Sequence, residues 1–195
     1  MSNSKELPNY TQKVPQIPQH GISWCIPASL ENMLKYAGIS SLTQEDLIEL
    51  YCKKFPNDGL LVKMNDGYYS VNTPAIKDRN QLLAIASRAI LKRANFEVFK
   101  EIVESTNRLK GTKWSLEYDN AVEKDKYFDR IKNCVDNGFP SLIAATNPDG
   151  NSHIRVALGY SPDIVKLFDP DPTRMIIDVP ISQLEFNNDI LILRE

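Results

Sequence analysis

The spacing of apolar residues changes at Gly138. This change is the strongest constraint that the sequence places on the fold. Ahead of Gly138, apolar residues recur at intervals of three and four, which predicts amphipathic helices. Beyond it, short β-rich runs alternate with clusters of turn-forming residues, which predicts strands joined by turns. A helical first half followed by antiparallel strands indicates an α+β domain.

Four segments show helical spacing. In the clearest one, apolar residues run from Ile26 to Ala37, and Gly38 follows where a left-handed cap would stand. A second helix opens on Thr43 and Asp46, a capping box in which Asp replaces the usual Glu or Gln. The predicted helices cover residues 26–37, 43–51, 81–94 and 121–137.

Strand patterns and turn signals account for most of the remaining chain. Two Asx-Gly turns, Asn57-Asp58-Gly59 and Asn65-Asp66-Gly67, predict a hairpin or an ordered loop within residues 55–73. The stretch 95–120 is ambiguous between the two patterns. The predicted strands cover residues 141–145, 153–160, 164–168, 174–179 and 189–193.

The length of the chain favours a single domain. At 195 residues it can bury one sizeable core, but it is short for two. Pro8, Pro15 and Pro18 disfavour a helix at the start, so we expect residues 1–18 to form an extended arm. Residues 19–195 would form the domain itself.

Charge and targeting features argue against several classes of protein. A net charge of -2 and an isoelectric point near 5.8 give no basis for binding nucleic acid or an anionic membrane, since both reward clustered Lys and Arg. The first residues lack the apolar core of a signal peptide, and no apolar run approaches the roughly 20 residues that span a bilayer. A cytoplasmic location is the default expectation, and export by a non-classical route is the alternative.

The three cysteines are Cys25, Cys52 and Cys134, an odd and sparse set without CxxC spacing. Such a set favours reduced thiols over a disulfide framework or a zinc site, and we expect no metal or cofactor. Cys134 shares an apolar stripe with Phe128 and Ile131. We therefore expect Cys134, and likewise Cys52, to be packing residues.

Cys25 differs from the other two cysteines because Pro27 follows it. Proline is tolerated only in the opening turn of a helix, so the helix must begin within a residue or two of Cys25. A thiol there feels the positive end of the helix macrodipole, which favours the thiolate, and a neighbouring imidazolium would favour it further. Cys25 is therefore the candidate nucleophile.

The choice of a base is narrow because the chain has only two histidines, His20 and His153. His153 opens a predicted strand, and Asp169 ends the next one, sixteen residues on. A hairpin turn between these strands would bring the start of the first beside the end of the second. His153 is therefore the candidate base, and Asp169 would hold its imidazole in the required tautomer.

Attack on an acyl carbonyl also needs donors for the oxyanion, commonly a backbone N–H and a side-chain amide. Gln19, six residues before Cys25, could supply the amide, with the Cys25 N–H as the second donor. Trp24 could line a substrate subsite or pack in the core. Three of the candidates have a rival. Gln16 could replace Gln19 as the amide, His20 could replace His153 as the base, and Asp171 could replace Asp169 as the carboxylate.

Two blocks of sequence resemble papain-like cysteine peptidases, most closely the bacterial C39-like group of the bacteriocin-processing type. The first is Gln19-His20-Gly21-Ile22-Ser23-Trp24-Cys25, continued by Ala28-Ser29-Leu30. The second runs from Gly138-Phe139-Pro140 through His153-Ile154-Arg155 to Phe168-Asp169-Pro170. Where that group usually has Asp or Asn before the cysteine and Gly after it, this chain has Trp24 and Ile26.

The resemblance implies a papain-like fold, with the nucleophile at a helix N-terminus packed on an antiparallel sheet from the C-terminal half. It implies the roles of nucleophile for Cys25, base for His153, orienting carboxylate for Asp169 and oxyanion donor for Gln19. The main hypothesis is then a cysteine peptidase that cleaves a peptide or protein substrate through a thioester. The alternatives are a transglutaminase or glutamine deamidase with the same residues, and a non-catalytic papain-like domain that binds a peptide.

Overall fold

A seven-stranded antiparallel sheet is the centre of the fold. The structure is a computed structural model that describes residues 4–8, 10, 16–20, 24–38, 42–47, 62–63, 69–70, 100–101, 103–104, 107–108, 111–119, 122–146 and 152–195. The strands are β1 (Lys5–Glu6), β2 (Val62–Lys63), β3 (Tyr69–Ser70), β4 (Ser115–Asp119), β5 (Ser141–Thr146), β6 (Ser152–Ser161), β7 (Ile164–Asp169), β8 (Met175–Pro180) and β9 (Glu185–Arg194).

The sheet has the strand order β4-β9-β5-β6-β7-β8, and β1 pairs with β6. All five strands predicted after Gly138 are present, although their ends differ from the predicted ones by up to four residues. Strand β4 lies in the stretch 95–120, where the sequence pattern is ambiguous. Leu116 and Tyr118 alternate with polar residues there, but the run is only five residues long and only Leu116 is buried, so the signal is brief.

Strand β1 belongs to the predicted N-terminal arm and is part of the sheet. It pairs with Gly159 and Tyr160 of β6, on the opposite edge from β7. Gly159 permits this contact, because a Cβ atom there would lie 2.8 Å from the Lys5 carbonyl oxygen. Leu7 and Tyr10, which follow β1, are buried in the core.

Two described helices begin and end close to the predicted positions: α1 (Cys25–Tyr36) and α2 (Lys124–Asp136). Each is followed by a glycine with a left-handed backbone, Gly38 at φ 67° and Gly138 at φ 74°. The Gly38 N–H donates to the Lys35 carbonyl at 3.0 Å, which satisfies one of the open acceptors of the last turn. Both glycines therefore follow the helix ends as predicted.

Two weaker predictions of the first half are also present in part. The Thr43 N–H donates to Asp46 Oδ2 at 2.9 Å, and the Asp46 N–H donates back to Thr43 Oγ1 at 3.3 Å, so the capping box with Asp is real. Strands β2 and β3, within the segment predicted to form a hairpin, pair antiparallel, and the predicted turn at 65–67 lies outside the described residues. Residues 48–51, the predicted helix 81–94, the turn at 57–59 and Cys52 lie outside the described residues.

The core lies where α1 and α2 pack on the sheet. Both helices contact β6, and α2 also contacts β9. Fully buried side chains from these elements include Leu30, Met33, Tyr127, Ile131, Val156 and Ile192. Strand β6 therefore lies at the junction of both helices and β7, which is where the candidate residues meet. None of the described helices is long and apolar enough to cross a membrane.

Candidate active site

Cys25 is the first residue of α1, as Pro27 in the opening turn requires. The first turn has no acidic side chain, so no neighbouring carboxylate there opposes a negative charge on the sulfur. The Ala28 N–H donates to the Trp24 carbonyl at 3.0 Å, which closes the first helical turn. The backbone N–H of Cys25 precedes this bond and has no acceptor within the helix.

Ser29 fixes the start of α1 against the strand that carries His153. It lies one turn after Cys25 on the same face of the helix and is fully buried. Its hydroxyl donates to the Ile154 carbonyl of β6 at 3.3 Å. The helix N-terminus is thus held beside the first residues of β6.

The predicted hairpin brings His153 and Asp169 together. Strands β6 and β7 pair with Ser161 opposite Ile164 and Val156 opposite Phe168, which leaves Asp169 at the end of β7 near the start of β6. His153 Nε2 lies 2.6 Å from Asp169 Oδ1. The carboxylate is fully buried and the imidazole is 17% exposed, so the pair is largely shielded from solvent.

The Cys25 thiol lies close enough to the His153 ring to influence the pKa of the imidazole. Because Nε2 faces Asp169, Nδ1 is the ring nitrogen left for Cys25. Burial lowers the pKa of His153, but the hydrogen bond and charge of Asp169, together with the nearby Cys25, outweigh it and raise the pKa to about 9. The imidazole is therefore protonated at neutral pH.

Asp169 has further partners that sequence reasoning missed. Arg155 Nε donates to Asp169 Oδ2 at 2.8 Å, and the Asp171 N–H donates to Oδ1 at 3.0 Å. Burial raises the pKa of Asp169, but the bonds from His153 and then Arg155 overcome it and lower the pKa to about 2. A signal for Arg155 existed, since it stands two residues after His153 and so on the same face of β6.

Gln19 lies next to the hairpin that carries Asp169. Its backbone N–H donates to the Pro170 carbonyl at 2.8 Å, so the segment 16–20 runs beside the residue that follows the carboxylate. The side chain is partly buried. Its Oε1 atom is buried and has no hydrogen-bond partner among the described residues.

Two of the three rivals for these roles have other partners. His20 Nδ1 lies 2.8 Å from Glu45 Oε1 in an exposed pair, whereas His153 is the histidine whose pKa Cys25 influences. The Asp171 carboxylate accepts bonds from Thr173 and so closes a turn. Gln16 adopts a left-handed backbone, with φ 54°.

Two further side chains pack in the core. Trp24 is 3% exposed and belongs to the hydrophobic core. Of the two roles expected for Trp24, packing in the core is the one that the structure shows. Cys134 is buried as predicted, and burial raises the pKa of its thiol to about 11. Such a thiol is a poor nucleophile at neutral pH, in contrast to a cysteine beside an imidazolium. Within the described part of the chain, no cluster of His, Cys, Asp or Glu is suited to hold a metal ion.

A cysteine at a helix N-terminus, packed on an antiparallel sheet that carries a His and an Asp, is the papain-like arrangement within the α+β class. The chain belongs to the Peptidase_C39-like family, whose model matches residues 6–187. The resemblance seen in the sequence is therefore confirmed at the level of family and fold.

Two solved structures illustrate the likeness. A protein from Bacillus anthracis assigned to the C39-like peptidases has 17% identity and a TM-score of 0.54, with 98% of each chain covered. The peptidase domain of Streptococcus ComA, a bifunctional ABC transporter, has 17% identity and a TM-score of 0.50, with 91% of this chain and 95% of that domain covered. At such identities the likeness shows the fold. No curated protein sequence matches the chain.

Proposed function

We propose that the protein is a cysteine peptidase in which Cys25 is the nucleophile, His153 the acid and base, and Asp169 the orienting carboxylate. The observation that carries this proposal is that one imidazole serves both partners: His153 Nε2 lies 2.6 Å from Asp169 Oδ1, and Cys25 is close enough to the same ring to raise its pKa. Each member is held by a different element, since α1, β6 and β7 supply one residue each. Such a constellation matches the roles of nucleophile, base and orienter in thiol hydrolases.

The proposed reaction has two halves. In the first, the Cys25 sulfur attacks the peptide carbonyl, and the C–N bond breaks as His153 Nδ1 gives its proton to the leaving amine. In the second, water gives a proton to His153 and its oxygen attacks the thioester; the C–S bond then breaks, which releases the carboxylic acid and regenerates Cys25 and the protonated His153. The oxyanion of each step would accept bonds from the Cys25 N–H and the Gln19 amide.

The protonation states of His153 and Asp169 favour the proposed reaction. His153 stays protonated at neutral pH because its pKa is raised to about 9, so a proton is available for the leaving amine. Asp169 stays ionised because its pKa is lowered to about 2, so it keeps Nε2 in the protonated form. With Asp169 on Nε2, the Nδ1 side of the ring is left to serve Cys25 and the substrate.

The first prediction concerns peptide cleavage. The wild type, incubated with a library of proteome-derived peptides at pH 7, should generate new N-termini, which are measured by amine labelling and mass spectrometry. Cys25→Ala should abolish them, since Cys25 is the proposed nucleophile that forms the thioester. Cys134→Ala is the matched control and should cleave as the wild type does, because its thiol is buried and protonated.

Other outcomes separate the alternatives. Ammonia release from glutamine side chains, without new N-termini, would replace the peptidase by a glutamine deamidase or transglutaminase. Peptide binding that is equal in the wild type and a Cys25→Ala, His153→Ala double variant, with no turnover, would indicate a non-catalytic binding domain.

A further inference from the structure

Two buried amide side chains grip the backbone of the segment 16–20, which contains Gln19. The first is Asn32 of α1, which is fully buried. Its Oδ1 accepts from the Ile17 N–H at 2.9 Å, and its Nδ2 donates to the Ile17 carbonyl at 2.9 Å. Nδ2 also donates to the Ala28 carbonyl at 2.8 Å, which fixes the orientation of the amide.

The second amide is Gln44, from the helical turn after Thr43, and it is also fully buried. Its Oε1 accepts from the His20 N–H at 3.0 Å, and its Nε2 donates to the Pro18 carbonyl at 2.9 Å. Asn32 and Gln44 thus hold backbone groups before and after Gln19.

A buried carboxylate sets the orientation of Gln44. Glu31 is 2% exposed, and its Oε2 accepts from Gln44 Nε2 at 3.1 Å, while Lys35 pairs with its Oε1 at 2.5 Å. Only the amide nitrogen of Gln44 can donate to a carboxylate, so the oxygen must face His20. The Gln44 amide therefore contacts the segment 16–20 in a single orientation.

The side chain of Gln19 depends on this grip. Its own Oε1 has no partner among the described residues, so no hydrogen bond at Oε1 holds the side-chain amide in place. Its backbone is fixed instead, by the Pro170 carbonyl at its own N–H and by Asn32 and Gln44 on the flanking residues. A donor that is fixed before the reaction stabilises an oxyanion better than one that must be ordered during it.

We propose that Asn32 and Gln44 are positioning residues that hold the Gln19 amide for the oxyanion. Neither touches the substrate, and both act through the backbone of residues 17–20. The inference deepens the proposed function and rests on the role of Gln19 within it.

Two small reagents isolate the oxyanion step. Acylation of Cys25 by 4-nitrophenyl acetate forms an S–C bond at a carbonyl, passes through an oxyanion and expels 4-nitrophenolate. Alkylation by iodoacetamide displaces iodide at a saturated carbon and forms no oxyanion. The ratio of the two rates therefore reports on the oxyanion donors and cancels changes in the thiol itself. Rates measured on Cys25→Ala are subtracted as the blank.

We expect Gln19→Ala to lower this ratio by about 100-fold and Gln44→Met by about tenfold, since one donor is lost or loosened. Gln44→Met keeps the volume but removes both polar atoms. Gln44→Glu is the second variant, which still accepts from His20 but cannot donate to the Pro18 carbonyl, and it should lower the ratio as well. Gln183→Met, in an exposed turn, is the matched control and should leave the ratio unchanged.

A double-mutant cycle distinguishes positioning from a general loss of structure. If Gln44 acts through Gln19, Gln44→Met should change the ratio by less than about twofold in a Gln19→Ala background. An equal loss in both backgrounds, or no loss in any Gln44 variant, would overturn the inference while the proposed function stands. If wild-type Cys25 reacts with the ester no faster than the blank, both the proposed function and the inference fail.

Discussion

At the scale of single residues, Asp169 is the most constrained group of the site. Its Oδ1 accepts from His153 and from the Asp171 N–H, and its Oδ2 accepts from Arg155. A buried carboxylate without such partners would be protonated or would destabilise the fold. Arg155 therefore lets a fully buried Asp169 remain charged beside His153.

Replacement of Arg155 tests this dependence. Arg155→Met should destabilise the protein by about 3 kcal/mol, because it leaves a buried carboxylate short of one charged partner. Denaturant unfolding at pH 7 measures the change. Arg174→Met is the control, since Arg174 lies 4.0 Å from Asp169 Oδ2 and is 48% exposed. Its loss should cost less than about 1 kcal/mol. Equal losses for the two variants would contradict the special role of Arg155.

At the scale of elements, three pieces of secondary structure meet at the site. Helix α1 presents Cys25, and the hairpin of β6 and β7 presents His153 and Asp169. Ser29 joins α1 to β6, and the Pro170 carbonyl joins the hairpin to the segment that carries Gln19. The site is therefore assembled from parts that are distant in sequence but directly bonded.

Strand β1 offers a test at this scale, because it pairs with β6 at Gly159. Gly159→Ala should place a methyl group against the Lys5 carbonyl, push β1 off β6 and lower stability by about 1–3 kcal/mol. Hydrogen exchange of the Leu7 N–H, which donates to the Leu158 carbonyl at 2.7 Å, should become faster.

Gly111→Ala is the matched control. Gly111 also resists substitution, since its φ is 69°, but a Cβ there meets no atom within 4 Å. It should destabilise the protein modestly without a selective effect on the Leu7 N–H. Selective protection loss in the control, or none in Gly159→Ala, would contradict the role of Gly159.

At the scale of the whole molecule, local patterns predicted the fold well. Pro27 fixed the start of α1, glycines marked the ends of both helices, and alternating residues predicted the hairpin that joins His153 to Asp169. What the sequence did not reveal depends on tertiary contacts. Asn32 and Gln44 are ordinary polar residues in their own segments, and only the folded chain brings them against residues 17–20.

The charge of the site links it to the stability of the whole protein. The pKa of His153 is raised from 6.5 to about 9, so its stabilising contribution is complete below pH 6.5 and is lost as the pH rises through about 9. The pKa of Asp169 is lowered from 3.8 to about 2, so its contribution is present above pH 3.8 and is lost as the pH falls through about 2. The contributions of both groups should therefore be complete between pH 3.8 and pH 6.5.

The most direct test of the account is the titration of His153 by NMR, since the central claim is that Cys25 and Asp169 together keep this imidazole charged. The chain has only two histidines, and His20→Gln assigns the signals. We predict that His153 titrates near pH 9 in the wild type and at a clearly lower pH in Cys25→Ala and in Asp169→Asn. A wild-type value near 6.5, unchanged in both variants, would contradict the account.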